Sequence, residues 1–288
     1  MNQFHFSMPL RIALRASVTI VLCVLLFSVA LGQVAQPAPS KDAGARATET
    51  QVDGAIKDDP AVEKMLGSYS PKVRELSTVI GTLKGELRKG GIGAGSLGNF
   101  VTDGLLAEAR KKLGKSVVLA ITNGGGLRKS TMSEGDIRMS DIWELLPFEN
   151  ALVQFDLTGE QLLALLNQVL SHRDAQSGAR IVYRLNAENK PEIVTARLLV
   201  NGREEEIEPH ATYIIVSIDY LWKRQSTVPS EQEGNYSVLA KAQKIEPLGL
   251  TMRDAMIQYV KDETAGGRSI KINLDGRFRQ EPTEAGRP

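Results

Sequence analysis

Cysteine is all but missing from this chain. Cys23 is the only one in 288 residues, and it stands inside an apolar run that reads as a cleavable leader. A mature chain without it has neither a disulfide nor a thiolate metal site, so packing has to supply its stability. Leu22 occupies the place where a lipoprotein signal needs a small residue, which removes the lipid-anchor reading. An excess of either charge is missing too. Thirty-five basic residues face 34 acidic ones, and loss of Arg11 and Arg15 with residues 1–32 leaves 33 against 34. That near-neutrality gives no electrostatic footprint for nucleic acid.

What is present is apolar enough to fold: 42% of the residues are hydrophobic and 24% charged, as expected of one or two globular domains with a real core. Met1 to Gly32 has the order of a secretory signal. Arg11 and Arg15 lead, Val18 to Leu31 is apolar, and Ala30-Leu31-Gly32 offers small residues for cleavage after Gly32. This predicts a periplasmic or secreted protein; an uncleaved membrane anchor is the alternative. Residues 33–59, rich in Ala, Pro and polar residues, read as a flexible linker.

From Pro60 to Ile80, Val62, Met65, Leu66, Tyr69, Val73 and Leu76 recur at helical steps, predicting an amphipathic connector helix over 60–89 with a kink at Pro71. The domain proper is expected over 90–280, with a frayed tail at 281–288. Gly93-Ala94-Gly95-Ser96-Leu97-Gly98 matches G-x-G-x-x-G, but no clear strand precedes it and no acid ends the next strand, so a dinucleotide site is set aside. Asn99 to Lys112 reads as a helix with Phe100, Leu105, Leu106 and Ala109 inward. Asn99 and Asp103 share one of its faces and are expected to tie the helix to a neighbouring loop.

The stretch from Ile121 to Asn150 is the chemical centre. The strand Val117 to Thr122 runs into Asn123-Gly124-Gly125-Gly126-Leu127-Arg128, where three glycines permit positive φ and amides aimed at a ligand. Ser140 is expected to cap a short helix ended by Pro147, and Phe148 leaves it. Downstream, Thr158 and Gln161 form a capping box for a core helix ending at His172, which reads as a surface residue compensating the helix dipole. Gln176-Ser177-Gly178 is a tight turn, Asn201-Gly202 a type I′ hairpin, and Tyr213 to Ile218 a buried strand. Lys223 to Asn235 reads as a polar, lid-like loop. Thr251 caps a last helix, and Ile270 to Leu274 is expected as the closing strand. The pattern as a whole is α+β, mixed β-sheet layers flanked by helices.

Six segments in order carry a resemblance: Leu97-Gly98-Asn99-Phe100-Val101-Thr102-Asp103, Thr122 to Arg128, Leu146-Pro147-Phe148-Glu149-Asn150, Leu157-Thr158-Gly159, Gln176-Ser177-Gly178 and Asp275-Gly276-Arg277. Together they resemble the C-terminal domain of the 5′-nucleotidase family. The resemblance implies a domain that binds the nucleoside part of a nucleotide, while a separate metallophosphatase domain performs the hydrolysis. It assigns Asn123 and Arg128 to the sugar, Phe148 and Tyr220 to the two faces of the base, and Asn150 and Gly178 to its polar edge. The chain departs from the family pattern at Gly93, where an arginine often lies nearby, at Glu149 in place of a small residue, and at Gly234 in place of an acid.

A dinuclear phosphatase centre needs several His, Asp and Asn ligands, and this sequence holds only His5, His172 and His210. The expectation is therefore no cofactor and no catalytic residue in this chain, with divalent metals in a separately encoded partner phosphatase. Alternatives are a non-catalytic extracytoplasmic nucleoside-binding module and a scaffold whose pocket has decayed.

Overall fold

The computed structural model describes residues 49, 53–54, 56–114, 116–223 and 236–282. The chain divides into two units, 1–59 and 60–288, and every described helix and strand lies in the second. The expected signal at 1–32, most of the 33–59 linker, the loop 224–235 with Gly234, and the tail from 283 lie outside the described residues. No described helix is long and apolar enough to cross a membrane.

The connector corrects the sequence reading. It is two short helices, α1 (Pro60–Gly67) and α2 (Ser70–Leu76), rather than one helix running to Ile80. Pro71 lies in the first turn of α2, where its missing N–H costs nothing, but it cannot continue a helix from upstream. Val62, Met65, Leu66, Tyr69 and Val73 are all exposed, so neither helix buries its apolar stripe. Ile80 belongs instead to β1 (Val79–Lys84), which with β2 (Leu87–Arg88) forms part of the domain expected to begin at 90.

A tight turn then enters α3 (Gly95–Leu113). Gly93 has φ +81°, and a Cβ there would come within 2.6 Å of the Phe278 ring, so a side chain at 93 would be strained and would displace that ring. A Cβ on Gly98 would meet the Gly93 carbonyl oxygen at 2.1 Å. The glycines of the G-x-G-x-x-G string thus serve close packing. Leu97, Phe100, Val101, Leu105, Leu106 and Ala109 of α3 are buried as the periodicity predicts. Each fully buried side chain of leucine or phenylalanine size contributes about 1.5–3 kcal/mol.

Next come β3 (Val117–Thr122), β4 (Thr131–Met132), β5 (Gly135–Arg138) and α4 (Met139–Leu145). Ser140 is not the cap, because the helix begins one residue before it; Asp141 accepts the Arg138 N–H at 2.8 Å instead. Strand β6 (Ala151–Thr158) leads into α5 (Gly159–Ser171), and the capping box forms: Thr158 and Gln161 exchange hydrogen bonds of 2.9 and 3.3 Å. His172 closes α5 half-buried, its ring edge-on to Tyr236 at 5.3 Å, rather than as a plain surface residue.

Strands β7 (Ala175–Ser177), β8 (Ala179–Leu185), β9 (Pro191–Val200), β10 (Arg203–Glu205) and β11 (Thr212–Ile218) follow. Between β9 and β10, Asn201 and Gly202 have φ of +50° and +79°, the type I′ signature. Then come α6 (Asp219–Lys223), β12 (Lys244–Thr251), α7 (Met252–Thr264), β13 (Ile270–Lys271) and β14 (Phe278–Gln280). The strand expected over 270–274 ends at Lys271, and β14 closes the described fold.

The architecture is α+β with mixed sheets. A five-stranded sheet, β12-β6-β11-β3-β7, has β11 and β3 parallel and its other pairs antiparallel. Helix α3 packs on β3, β7 and α7, and α5 on β6, β11 and β9. Smaller sheets, β10-β9-β8-β14 and β13-β1-β5, flank it. The expected Asn99–Asp103 tie is present. Asn99 donates to the Asn273 carbonyl at 2.6 Å, while Asp103 takes Arg277 through bonds of 2.9 and 3.1 Å and the Ser177 hydroxyl at 2.7 Å.

Candidate functional site

Sheet register decides which loops meet. Because β3 and β11 are parallel and β6 runs against β11, with Ile218 opposite Leu152, three chain turns come together at one edge of the sheet. They are the exit of β3, the exit of β11 and the entry of β6. A cavity of about 360 Å³ lies there, lined by Asn123, Gly125, Gly126, Arg128, Phe148, Asn150 and Tyr220.

Five of the six residues singled out from the sequence, Asn123, Arg128, Phe148, Asn150 and Tyr220, therefore share one cavity. Gly178 does not line it. Strand β7 runs against β3 with Ala175 opposite Thr122 and Ser177 opposite Ala120, so Gly178 lies toward the start of β3, about 13 Å along the strand from its exit. Its φ is +115°, and a Cβ would stand 2.0 Å from the Val118 carbonyl oxygen, so its glycine character serves strand packing.

The glycine turn is built differently from the expectation. None of Gly124, Gly125 and Gly126 has a positive φ. Three amides of the turn are used by protein acceptors: Gly124 N–H donates to Asp174 Oδ1 at 2.7 Å, Gly126 N–H to the Asn123 carbonyl at 3.1 Å, and Leu127 N–H to the Gly124 carbonyl at 3.2 Å. At Gly126 a Cβ would lie 3.0 Å from Asn123 Oδ1, a close contact to which the Asn123 side chain would have to yield. That oxygen is buried and has no hydrogen-bond partner among the described residues. Buried polar atoms are rarely left so.

The walls are held from behind. Lys89 Nζ donates to the Leu127 carbonyl at 2.9 Å, and Arg128 N–H to the Leu145 carbonyl at 2.9 Å. Lys129 joins Asp141 and Glu144 of α4 at 3.1 and 2.7 Å; partial burial disfavours its charge, but the two carboxylates outweigh that and raise its pKa. Arg253 reaches the carbonyls of Leu146 and Pro147 at 3.0 and 2.8 Å, just before Phe148. Met252 N–H donates to the Asn150 carbonyl at 2.8 Å, and Asp219 accepts the Ala151 N–H at 3.0 Å beside Tyr220. Against this backing Phe148 and Tyr220 are 50% and 39% exposed where they line the cavity. Arg128 is exposed as well, as is Glu149.

Asp174 is the residue that the sequence reading missed. It is 8% exposed, and its two oxygens take the Gly124 amide and the Tyr236 hydroxyl, each at 2.7 Å. Burial pushes its carboxyl above the usual range, against the pull of those two bonds and of the His172 and Lys89 charges. Burial likewise drives the Tyr236 phenol well up, reinforced by the adjacent Asp174 charge. The one local signal was an acid directly ahead of Ala175 and Gln176, where the chain turns into a buried strand. Arg253 and Lys89 left no such signal.

Among the described residues no group of three or more His, Cys, Asp or Glu side chains is placed to hold a metal ion.

Comparison with known proteins gives a family. The family model of the 5′-nucleotidase C-terminal domain matches residues 79–230. The trifunctional nucleotide phosphoesterase protein YfkN of Bacillus subtilis (strain 168) is 31% identical over 193 residues, 64% of this chain and 12% of that protein. An apyrase of Tabanus yao is 25% identical over 202 residues, 64% of this chain and 34% of its own length. Among solved structures, the 5′-nucleotidase precursor of Thermus thermophilus superposes with a TM-score of 0.61 at 25% identity, covering 77% of this chain and 43% of that one. The Haemophilus influenzae NAD nucleotidase NadN, at 18% identity and a TM-score of 0.58, shares the fold; the match covers 78% of this chain and 42% of that one. This chain spans well under half the length of each of these proteins.

Proposed function

The chain belongs to the 5′-nucleotidase family as its C-terminal domain, and from that premise we propose that it is an exported nucleotide-recognition domain. In this reading Phe148 and Tyr220 stack on the two faces of a nucleobase, Asn150 meets its polar edge, and Asn123 and Arg128 bond the sugar. A separately encoded metallophosphatase carries the divalent metals and hydrolyses the 5′-nucleotide or nucleotide sugar. The observation that carries the proposal is the cavity of about 360 Å³ where two half-exposed aromatic rings share walls with Asn123, whose buried Oδ1 lacks a partner among the described residues. A half-turn of that amide would bring its oxygen to the cavity to accept a sugar hydroxyl, while Arg128 supplies donors but no acceptor.

Two measurements test this reading. Calorimetry with adenosine, uridine and AMP on the protein without residues 1–32 is expected to show saturable one-to-one binding, and no binding of any of the three would sink the recognition role. Nucleotidase assays with the candidate metallophosphatase are expected to show activity raised by this chain. Nucleoside binding with no complex and no stimulation would leave a non-catalytic binding module in its place.

A further inference from the structure

We propose that Asp174 is the positioning residue of this site, a buried carboxylate that braces the glycine turn against Tyr236 and so sets where Asn123 and Arg128 meet a sugar. The proposal rests on the nucleoside reading of the cavity.

Register brings Asp174 to the site. It is the residue before β7, and since Ala175 lies opposite Thr122, Asp174 falls beside the exit of β3. Its own N–H is fixed to the Val169 carbonyl at 2.9 Å, and the preceding Arg173, held at φ +58°, gives its carbonyl to Gly93 N–H at 3.1 Å. The backbone is therefore anchored on both sides, and the carboxylate has a defined direction. Oδ1 reaches Gly124, fifty residues back in the chain, and Oδ2 reaches Tyr236, 62 residues on.

The chemistry argues for a purpose beyond packing. Val169, Leu170 and Ala175 around Asp174 are fully buried and apolar, a setting in which an acid is costly. Two short bonds to an amide and a phenol offset that cost, and neither partner is a cation. An apolar side chain at 174 would take away the acceptor that Asp174 gives to the Gly124 amide and to the Tyr236 hydroxyl. Tyr236 is 1% exposed, and its ring packs edge-on with His172. One carboxylate thus ties the sugar-facing turn to Tyr236. The charged groups that face it are Lys89 from beyond β2 and His172 from the end of α5.

Three variants separate positioning from bulk stability. Asp174→Ala removes both bonds, Asp174→Asn keeps an acceptor for Gly124 without the charge, and Tyr236→Phe removes the Tyr236 bond to Asp174 and leaves the Gly124 bond in place. Each is read by amide hydrogen exchange at Gly124, Gly126 and Leu127, by exchange at Ile215 and Val216 in the central sheet, and by calorimetric affinity for AMP. In Asp174→Ala the glycine-turn amides are expected to exchange faster by about tenfold or more while Ile215 and Val216 keep their protection. AMP affinity is expected to fall by a comparable factor, with Asp174→Asn recovering part of both losses and Tyr236→Phe lying between. Should Asp174→Ala fail to fold, the other two variants carry the same readouts. Glycine-turn exchange unchanged in the variants overturns the proposal, as does wild-type AMP affinity in a variant whose turn has loosened. If the wild-type protein binds no nucleoside, the functional reading fails, and the exchange data still decide whether Asp174 holds the turn.

Discussion

The guanidinium of Arg253 lies 3.7 Å above the ring of Trp143 while its nitrogens hold the carbonyls of Leu146 and Pro147. Helix α7 thereby grips the end of α4 just where the chain delivers Phe148 to the cavity. Lysine can reproduce the charge but neither the flat stack nor the two-carbonyl fork. Arg253→Lys is expected to cost about 1–3 kcal/mol of stability in urea unfolding and to weaken nucleoside binding. A variant as stable and as tight as wild type would show that α7 does not hold the Phe148 loop.

Phe148 and Tyr220 are half-exposed, so truncating either removes less packing than a core truncation does. Phe148→Ala and Tyr220→Ala are each expected to cost about 1–2 kcal/mol of folding stability. Each should weaken adenosine binding by about 1–3 kcal/mol, the range for a base stacked on an aromatic ring. Calorimetry beside thermal unfolding separates the two effects, and equal affinity in all three proteins would remove the stacked-base geometry.

For Gly178 the opposite pattern is expected. With φ +115° and the Val118 carbonyl oxygen only 2.0 Å from where an added methyl would stand, Gly178→Ala forces β7 and β3 apart. The expected loss is on the order of 2–4 kcal/mol in stability, with AMP affinity of the remaining folded fraction preserved. A stable Gly178→Ala protein with weakened affinity would return this glycine to the ligand's edge.

The Arg277 network predicts an acid-labile fold. Arg277, 4% exposed, bonds Asp103 and Asp275, and Arg180 adds a contact to Asp275 at 3.1 Å. Burial alone would raise the Asp275 pKa, but the Arg277 bond and the arginine charges lower it. A carboxylate whose native pKa is depressed contributes stability that is present above its unfolded value, about 3.9, and lost as pH falls through the native one. Urea midpoints are expected to fall as pH drops below about 4 in wild type and less steeply in Asp275→Asn. Arg277→Met, which leaves Asp275 with Arg180 and Asp103 with Ser177 and Asn273, should cost about 1–3 kcal/mol at neutral pH. Identical pH profiles for wild type and Asp275→Asn would refute this account.

Much of the fold was legible because it is local. The capping box at Thr158, the cap at Thr251, the Asn201-Gly202 hairpin and the apolar stripe of α3 follow from contacts a few residues apart, and all are present. The connector misled because helical spacing in Val62, Met65 and Leu66 says nothing about whether a surface stands ready to cover them. Strands β4, β5 and β12 escaped notice because short or largely exposed strands carry no alternation of their own.

The central stretch shows the same division. From the amino acids alone came the turn after β3, the Pro147-Phe148 exit, the roles that the resemblance implies, and the family itself, since each is written in consecutive residues. Tertiary structure decided the rest: that Tyr220 reaches the same cavity, that Gly178 stays on another part of β3, and that Asp174 stands behind the glycine turn with Tyr236. Those outcomes depend on which strands pair and in which register. A shift of two residues between β3 and β7 would carry Asp174 away from Gly124, and no local preference in either segment specifies that register.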